Sequence, residues 1–286
     1  MLQTQVFRGP NYWSYDPAIR LLVDLGSLEA WPSNTIPGFN DRLLELLPGV
    51  GEHSCSLGRR GGFRERLVDG TWLGHVAEHI AIELQRESGA HVYRGKTRSA
   101  GEPGRYNVIY GYWEEQVGLE SGRLAVRVVN QLVEAQEGFD FQAELERLIR
   151  LAERRAFGPS TQAIVDEAAS RDIPWIRLNE YSLVQLGWGR YQQRIRATMT
   201  SRTSSLAVDI AGDKDMTRRL LAAAGLPVPR GEIVLAEDDA VAVAERIGFP
   251  VVVKPLDGNH GRGVGLELRT ARDVRRAFKR AVKEAR

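Results

Sequence analysis

The 286 residues are 43% apolar, 27% charged and 8% aromatic, a balance that excludes a disordered or fibrous chain and allows a substantial core. At about 100–200 residues per domain, two domains are expected. The formal charge of +2 is uneven: residues 268–286 hold eight basic and two acidic side chains, so the basic excess belongs to one helix-like terminal segment and gives no case for nucleic-acid binding.

In chain order, residues 3–7 read as a strand, 31–40 as a loop punctuated by Gly and Pro, and 41–47 as a helix. A second turn-rich stretch covers 58–62. Over 72–86 the apolar residues Leu73, Val76, Ile80 and Leu84 fall at helical spacing. Residues 107–112 read as a strand, 121–136 as an amphipathic helix and 141–155 as a highly charged helix, after which FGPS at 157–160 breaks the pattern. The domain boundary is placed there, giving domains of 1–157 and 158–286. Beyond it, 160–171 reads as a helix with Ser160 as its N-cap, 174–178 as a short strand and 206–210 as another apolar run. Helices follow at 214–224, stopping at Gly225, and at 236–247, and a buried strand at 251–253. This alternation predicts an α/β second domain after an α+β first one.

Cys55 is the single cysteine, which excludes an intramolecular disulfide and a Cys-rich zinc site. No run approaches 18 apolar residues, and residues 1–12 carry Gln3, Gln5, Arg8 and Pro10 where a leader peptide needs an apolar core. A cytoplasmic protein without a membrane partner is expected.

The strand VVVKP at 251–255 runs into LDGNHGRGVG at 256–265. Glycines let a backbone approach phosphate closely, exposed amides with His260 and Arg262 can donate to its oxygens, and Lys254 supplies a fixed charge. The loop is neither a Walker A motif nor a dinucleotide fingerprint. Upstream, DKDMT at 213–217 opens a helix that closes in AGLPVP at 224–229. This arrangement resembles the ATP-grasp superfamily, which implies that Lys214 and Lys254 contact nucleotide phosphates while Gly258, Asn259, His260, Gly261, Arg262 and Gly263 fold over them.

A narrower resemblance is carried by RGPNYW at 8–13, GPST at 158–161, RLN at 177–179, SLVQLG at 182–187, AVDIA at 207–211 and PLDGNHGRGV at 255–264. These look like the cyanophycin synthetase family along essentially the whole chain. The resemblance implies an N-terminal domain, then an ATP-grasp domain that uses ATP and Mg2+ to add aspartate to a poly-aspartate backbone through an acyl phosphate, then a Mur-ligase-like domain that attaches arginine. The sequence stops at Arg286, before the acidic metal ligands of the later ATP-grasp subdomain. The expectation is therefore an incomplete ATP-grasp domain, inactive as a ligase alone, with surface left for self-association into a homo-oligomer. The hydroxyl-rich stretch 198–205, with Arg196 and Arg202 interleaved, suits recognition of an aspartate/arginine polymer or, equally, a solvated loop.

Within 72–86, HVAEH at 75–79 has the order of the inverted zinc peptidases. His75 and His79 lie one turn apart on one helix face, where two imidazoles can share Zn2+, and Glu78 can serve as general base to metal-bound water. A third ligand is needed. Glu83 continues the face, and Glu114, Glu115 and Glu120 follow the next strand; Glu115 is preferred. Such a site would hydrolyse the same polymer. The bland alternative leaves both histidines hydrogen-bonded to nearby backbone in a non-catalytic, polymer-binding module. His53 and His91, in Gly-rich loops, are expected to be solvated, with a place in the lining of the same pocket as the alternative.

Overall fold

The computed structural model describes residues 1–134, 138–256 and 260–284. The chain forms two compact units, Met1–Thr198 and Met199–Arg286. Residues 158–198, grouped by the sequence with the second domain, thus lie within the first unit.

The first unit begins with β1 (Gln3–Phe7) and β2 (Ala18–Asp24), followed by α1 (Phe39–Leu46), α2 (Gly62–Asp69) and α3 (Leu73–Glu87). After them come β3 (Gly95–Ser99), β4 (Arg105–Gly111), α4 (Glu115–Glu134) and α5 (Phe141–Arg155). The four strands form one sheet in the order β1-β2-β4-β3, all pairs antiparallel, with Ile19 opposite Tyr110 and Leu21 opposite Val108. Alternation sends Ile19, Leu21 and Val23 of β2 and Val108 and Tyr110 of β4 into one core with the apolar faces of α3 and α4. Antiparallel strands with helices packed against them are an α+β arrangement.

The surroundings of α3 limit the chemistry open to its polar side chains. Twelve of its fifteen residues are buried, including Glu78, His79, Glu83 and Gln85. It contacts α4, α5, β3 and β4, together with the short turn of Pro48–Glu52. A helix enclosed on nearly every side is a core helix, and each of its polar groups needs a partner, because an unsatisfied one costs about 1–3 kcal/mol.

The first unit closes with α6 (Pro159–Ser170), β5 (Trp175–Arg177), β6 (Leu183–Leu186) and β7 (Gln193–Arg196). The β5-β6-β7 ribbon is antiparallel, and Val165, Val184 and Ile195 make a small separate core beneath it. Gly158 is the N-cap of α6 and Pro159 opens it, so Ser160 lies inside the first turn and is not the cap; proline's fixed φ suits that first position.

The second unit holds β8 (Met199–Thr200), α7 (Ser205–Gly212), α8 (Lys214–Ala223), α9 (Glu237–Ile247), β9 (Val251–Val253), β10 (Gly265–Leu268) and α10 (Ala271–Glu284). β9 and β10 pair antiparallel, and Ala240, Val241 and Ala244 of α9 meet Val274 and Ala277 of α10 and Leu268 in its core. α7 and α8 bury no residue. Among the described residues no helix is long and apolar enough to cross a membrane.

Candidate functional sites

Two groups of residues carry chemistry, one in each unit. In the first unit, α3 brings His75 and His79 together, as their spacing predicts, with their Nε2 atoms 3.2 Å apart. The third donor is Cys55, whose Sγ lies 3.3 Å from His75 Nε2. Among the described residues this is the one group of three or more potential metal ligands whose donor atoms all lie within 4.8 Å of one another. Two imidazole nitrogens on a tetrahedral zinc, each about 2.0–2.1 Å from the metal, stand about 3.3 Å apart, so the donor set fits such an ion. Cys55 adopts φ 50°, a left-handed conformation uncommon outside glycine, at the start of the turn Cys55–Leu57.

Glu115 is not part of this group. It opens α4, where the free amides of a helix start favour an acid, and its carboxylate takes a bidentate contact from Arg8 at 2.6 and 2.7 Å. The other glutamates after β4 are engaged as well: Glu114 accepts from Arg155 and from the Val117 amide, and Glu120 from Arg123.

His53 is not solvated and takes the alternative place, beside His79. It is buried, with Nδ1 at 2.8 Å from His79 Nδ1 and Nε2 at 2.7 Å from Glu83 Oε2. Its backbone is clamped on the ring that covers the site: the Phe63 amide donates to the His53 carbonyl, and Phe63 stacks on His79 at 3.7 Å between ring centroids. Glu83 also accepts from Arg86, and Gly49 approaches it so closely that a Cβ there would stand 1.6 Å from Oε1. At the other end, His75 Nδ1 meets the Thr71 hydroxyl at 2.8 Å. His91, by contrast, is exposed as expected.

Burial, reinforced by Arg66 and Arg98, lowers His75 to about 4, and burial with the neighbouring His75 and His53 holds His79 well below its ordinary range. Both imidazoles are therefore neutral at pH 7, the form that ligates metal. Glu83 is also lowered: burial opposes its charge, but the His53 hydrogen bond and Arg86 outweigh that.

Glu78, between the two histidines in the sequence of α3, is held by β3. Its Oε2 accepts from Thr97 Oγ1 at 2.6 Å, and β3 passes so near that a Cβ on Gly95 would lie 2.4 Å from Oε1. Burial pushes it up to about 7, against the Thr97 hydrogen bond and Arg98. A carboxyl near neutrality is suited to proton transfer.

In the second unit, Lys214 is the first residue of α8, capped by Asp213, whose carboxylate accepts from the amides of Asp215 and Met216. Its Nζ donates to the Leu256 carbonyl at 2.8 Å. Lys254 lies two residues before Leu256, directly after β9, so Lys214 reaches the loop that Lys254 begins. His260, Gly261 and Gly263 follow with φ of 56°, 71° and 69°. Gly258 and Asn259 lie outside the described residues. No second group of three potential metal ligands occurs among the described residues, so no side chain is assigned to Mg2+. Arg196 and Arg202 are exposed. Within the first unit, a separate open cleft of about 1440 Å³ is lined by Trp113, Trp175, Trp188, Arg155 and Arg177 among others.

Comparison with known proteins assigns a class to each unit and then a family to the chain. Residues 213–286 match the ATP binding domain of the carbamoyl-phosphate synthase L chain, and 69 residues are 44% identical to the carbamoyl phosphate synthase large chain of Clavibacter sepedonicus, covering 24% of this chain and 6% of that protein. The second unit is thus of an ATP-binding, ligase type. Residues 20–134 match the cyanophycin synthase-like N-terminal domain. The chain is 45% identical over 97% of its length to the cyanophycin synthetase of Geminocystis herdmanii, covering 32% of that protein, and 44% identical over 100% to that of Synechocystis sp., covering 33%. The resemblance to the cyanophycin synthetase family is borne out along the whole chain, which spans about a third of the length of these relatives.

Proposed function

We propose that this chain is part of an ATP-dependent carboxylate–amine ligase that extends an aspartate/arginine polymer, with residues 158–286 as the N-terminal part of an ATP-grasp domain. The observation that carries this is the Lys214 to Leu256 contact, which brings Lys214 to the loop that follows Lys254. Two fixed cations there offset charge on the transferred phosphoryl group, where positioning and electrostatics supply most of the catalysis. In the reaction the polymer's terminal carboxylate attacks the γ-phosphorus and ADP leaves. The incoming amine then attacks the acyl carbon, phosphate departs and an amide remains. The tryptophan- and arginine-lined cleft of the first unit is a suitable place for polymer side chains. The test is binding of a non-hydrolysable ATP analogue to the full chain. Lys254→Ala removes a charge-assisted contact of about 1.5–3 kcal/mol, so affinity falls about tenfold to a hundredfold. Equal affinity in the variant refutes the assignment.

A second reading is favoured by the convergence of Cys55, His75 and His79. These residues fit Zn2+, which when bound lowers the pKa of a water and makes it a nucleophile near neutral pH. Glu78 is the proposed proton acceptor in cleavage of the polymer. Zinc in the purified chain, and shortening of cyanophycin without ATP that Glu78→Gln abolishes, support it. A chain that takes up no metal and leaves cyanophycin intact refutes it.

A further inference from the structure

In the open cleft of the first unit the guanidiniums are committed to partners and half of the carboxylates are not. Six carboxylates and four guanidiniums line it. Arg8 makes its bidentate contact with Glu115, Arg94 pairs with Asp16, and Arg155 donates to Glu114 at 2.8 Å. Arg177 donates to the backbone carbonyls of Arg155, Asn179, Glu180 and Tyr181. Among the described residues, Glu153 of α5, Asp166 of α6 and Asp172 of the turn after α6 have no ion pair, although Asp166 accepts from the Gln162 amide. The last turns of α5 and α6 also line the cleft, at Glu153 and Ala169, and the carbonyl end of a helix favours a cation. An anion thus meets no uncommitted guanidinium here, whereas a cation meets three carboxylates.

The walls suit a flat cation. Trp113 and Trp175 meet edge to face with ring centroids 5.3 Å apart, and Phe157 stands 6.1 Å from Trp175. Trp188 is backed by the chain at Gly9, where a Cβ would lie 3.2 Å from its ring, yet it remains 39% exposed. One guanidinium of the chain itself already occupies such a place: Arg177 lies over the Phe157 ring at 4.2 Å while its N–H groups meet carbonyl oxygens. At about 1440 Å³ the cleft exceeds the about 300–1,000 Å³ of a usual small-molecule pocket, so it admits a length of chain.

We propose that this cleft binds an extended chain bearing arginine side chains, their alkyl stems lying on the tryptophans and their guanidiniums pairing with Glu153, Asp166 and Asp172. Arginine is favoured over lysine because a planar guanidinium stacks on an indole face. The proposal deepens the ligase reading and rests on it only for the source of such a chain; the preference for guanidinium follows from the cleft.

The experiment is a titration of the full chain, followed by tryptophan fluorescence, with a capped oligo-arginine peptide and with its citrulline counterpart, which has nearly the same shape and no charge. The arginine peptide is expected to bind at least tenfold more tightly, and less tightly as salt is raised. Trp188→Ala weakens it about 2–30-fold. Joint replacement of Glu153→Gln, Asp166→Asn and Asp172→Asn weakens it about threefold to a hundredfold and flattens the salt dependence. All four positions are exposed, and asparagine tolerates the left-handed φ of 55° at Asp172, so these variants keep the fold. Equal affinity for the citrulline peptide, tighter binding of poly-aspartate, or affinity unchanged in both variants overturns the proposal. Arginine-peptide binding by a chain that ignores the ATP analogue leaves the cleft proposal standing and removes the ligase reading. Binding of the analogue without the arginine peptide overturns the cleft proposal alone.

Discussion

Replacing Glu78 with glutamine isolates the effect of burial on one charge of α3. The residue is 4% exposed, accepts one hydrogen bond from Thr97, and is pushed by burial from 4.5 to about 7. That rise of about 2.5 units corresponds to a destabilisation on the order of 3 kcal/mol when the group is ionised, at 1.36 kcal/mol per unit. Between those two pH values the folded chain retains a proton that the unfolded chain has released. Stability therefore falls as pH rises through the window, is undiminished below 4.5 and levels off above 7. Glutamine is neutral and nearly isosteric, and its carbonyl oxygen still accepts from Thr97, so the variant lacks this slope. Glu78→Gln is expected to match the wild type near pH 4 and to exceed it by about 3 kcal/mol near pH 8. Hydrogen exchange of the α3 amides, compared between the two proteins at equal pH so that intrinsic rates cancel, reports the difference for this unit alone. Equal protection at every pH refutes the argument, since it means that Glu78 ionises as freely in the fold as in the unfolded chain. A variant advantage confined to acid pH refutes it too, because the sign is then reversed.

Two further substitutions test separate parts of the structure. Gly49→Ala places a methyl where Glu83 Oε1 now lies 1.6 Å from the Cβ position, so the carboxylate must leave His53 and stability falls by about 1–3 kcal/mol in urea unfolding. Asp213→Ala removes the cap that accepts from the Asp215 and Met216 amides, costing α8 about 1 kcal/mol. Because Lys214 begins that helix, affinity for the ATP analogue falls alongside the exchange protection of α8.

The parts of the fold legible in the sequence are those whose neighbours in space are also neighbours in the chain. Residues 3–7, 141–155 and 251–253 form elements at the expected bounds, because strong apolar patterning or a local cap such as Asp140 determines them. α4 starts at Glu115, ahead of the 121 read from periodicity, because the Glu114 side chain takes the Val117 amide and anchors an extra turn. The apolar run at 206–210 lies in α7, whose start is marked by Ser204 accepting from the Ala207 amide; four apolar residues in a stretch of five cannot by themselves distinguish helix from strand. β3, with a polar sequence, exists only through its pairing with β4 and carries no periodic signal of its own.

The candidate sites divide along the same line. His75 and His79 were legible because helical spacing alone places them together, and Lys214 and Lys254 because a family motif ties them to one loop. Cys55 and His53 reach the α3 group from irregular backbone, 20 residues ahead of His75 and 26 ahead of His79 respectively, and no spacing rule covers that approach. The sequence did hold one unused signal. Polar residues at 78, 79, 83 and 85 share one arc of the helix with Ile82, an apolar side chain that a solvent face does not call for. In a core helix each such group needs a partner from elsewhere in the chain. Glu78 finds Thr97 on β3, Gln85 finds the carbonyls of Ala81 and Gly111, and His79 and Glu83 find His53. Once α3 is enclosed, the same burial that neutralises His75 and His79 obliges every polar group on the helix to find its partner within the protein.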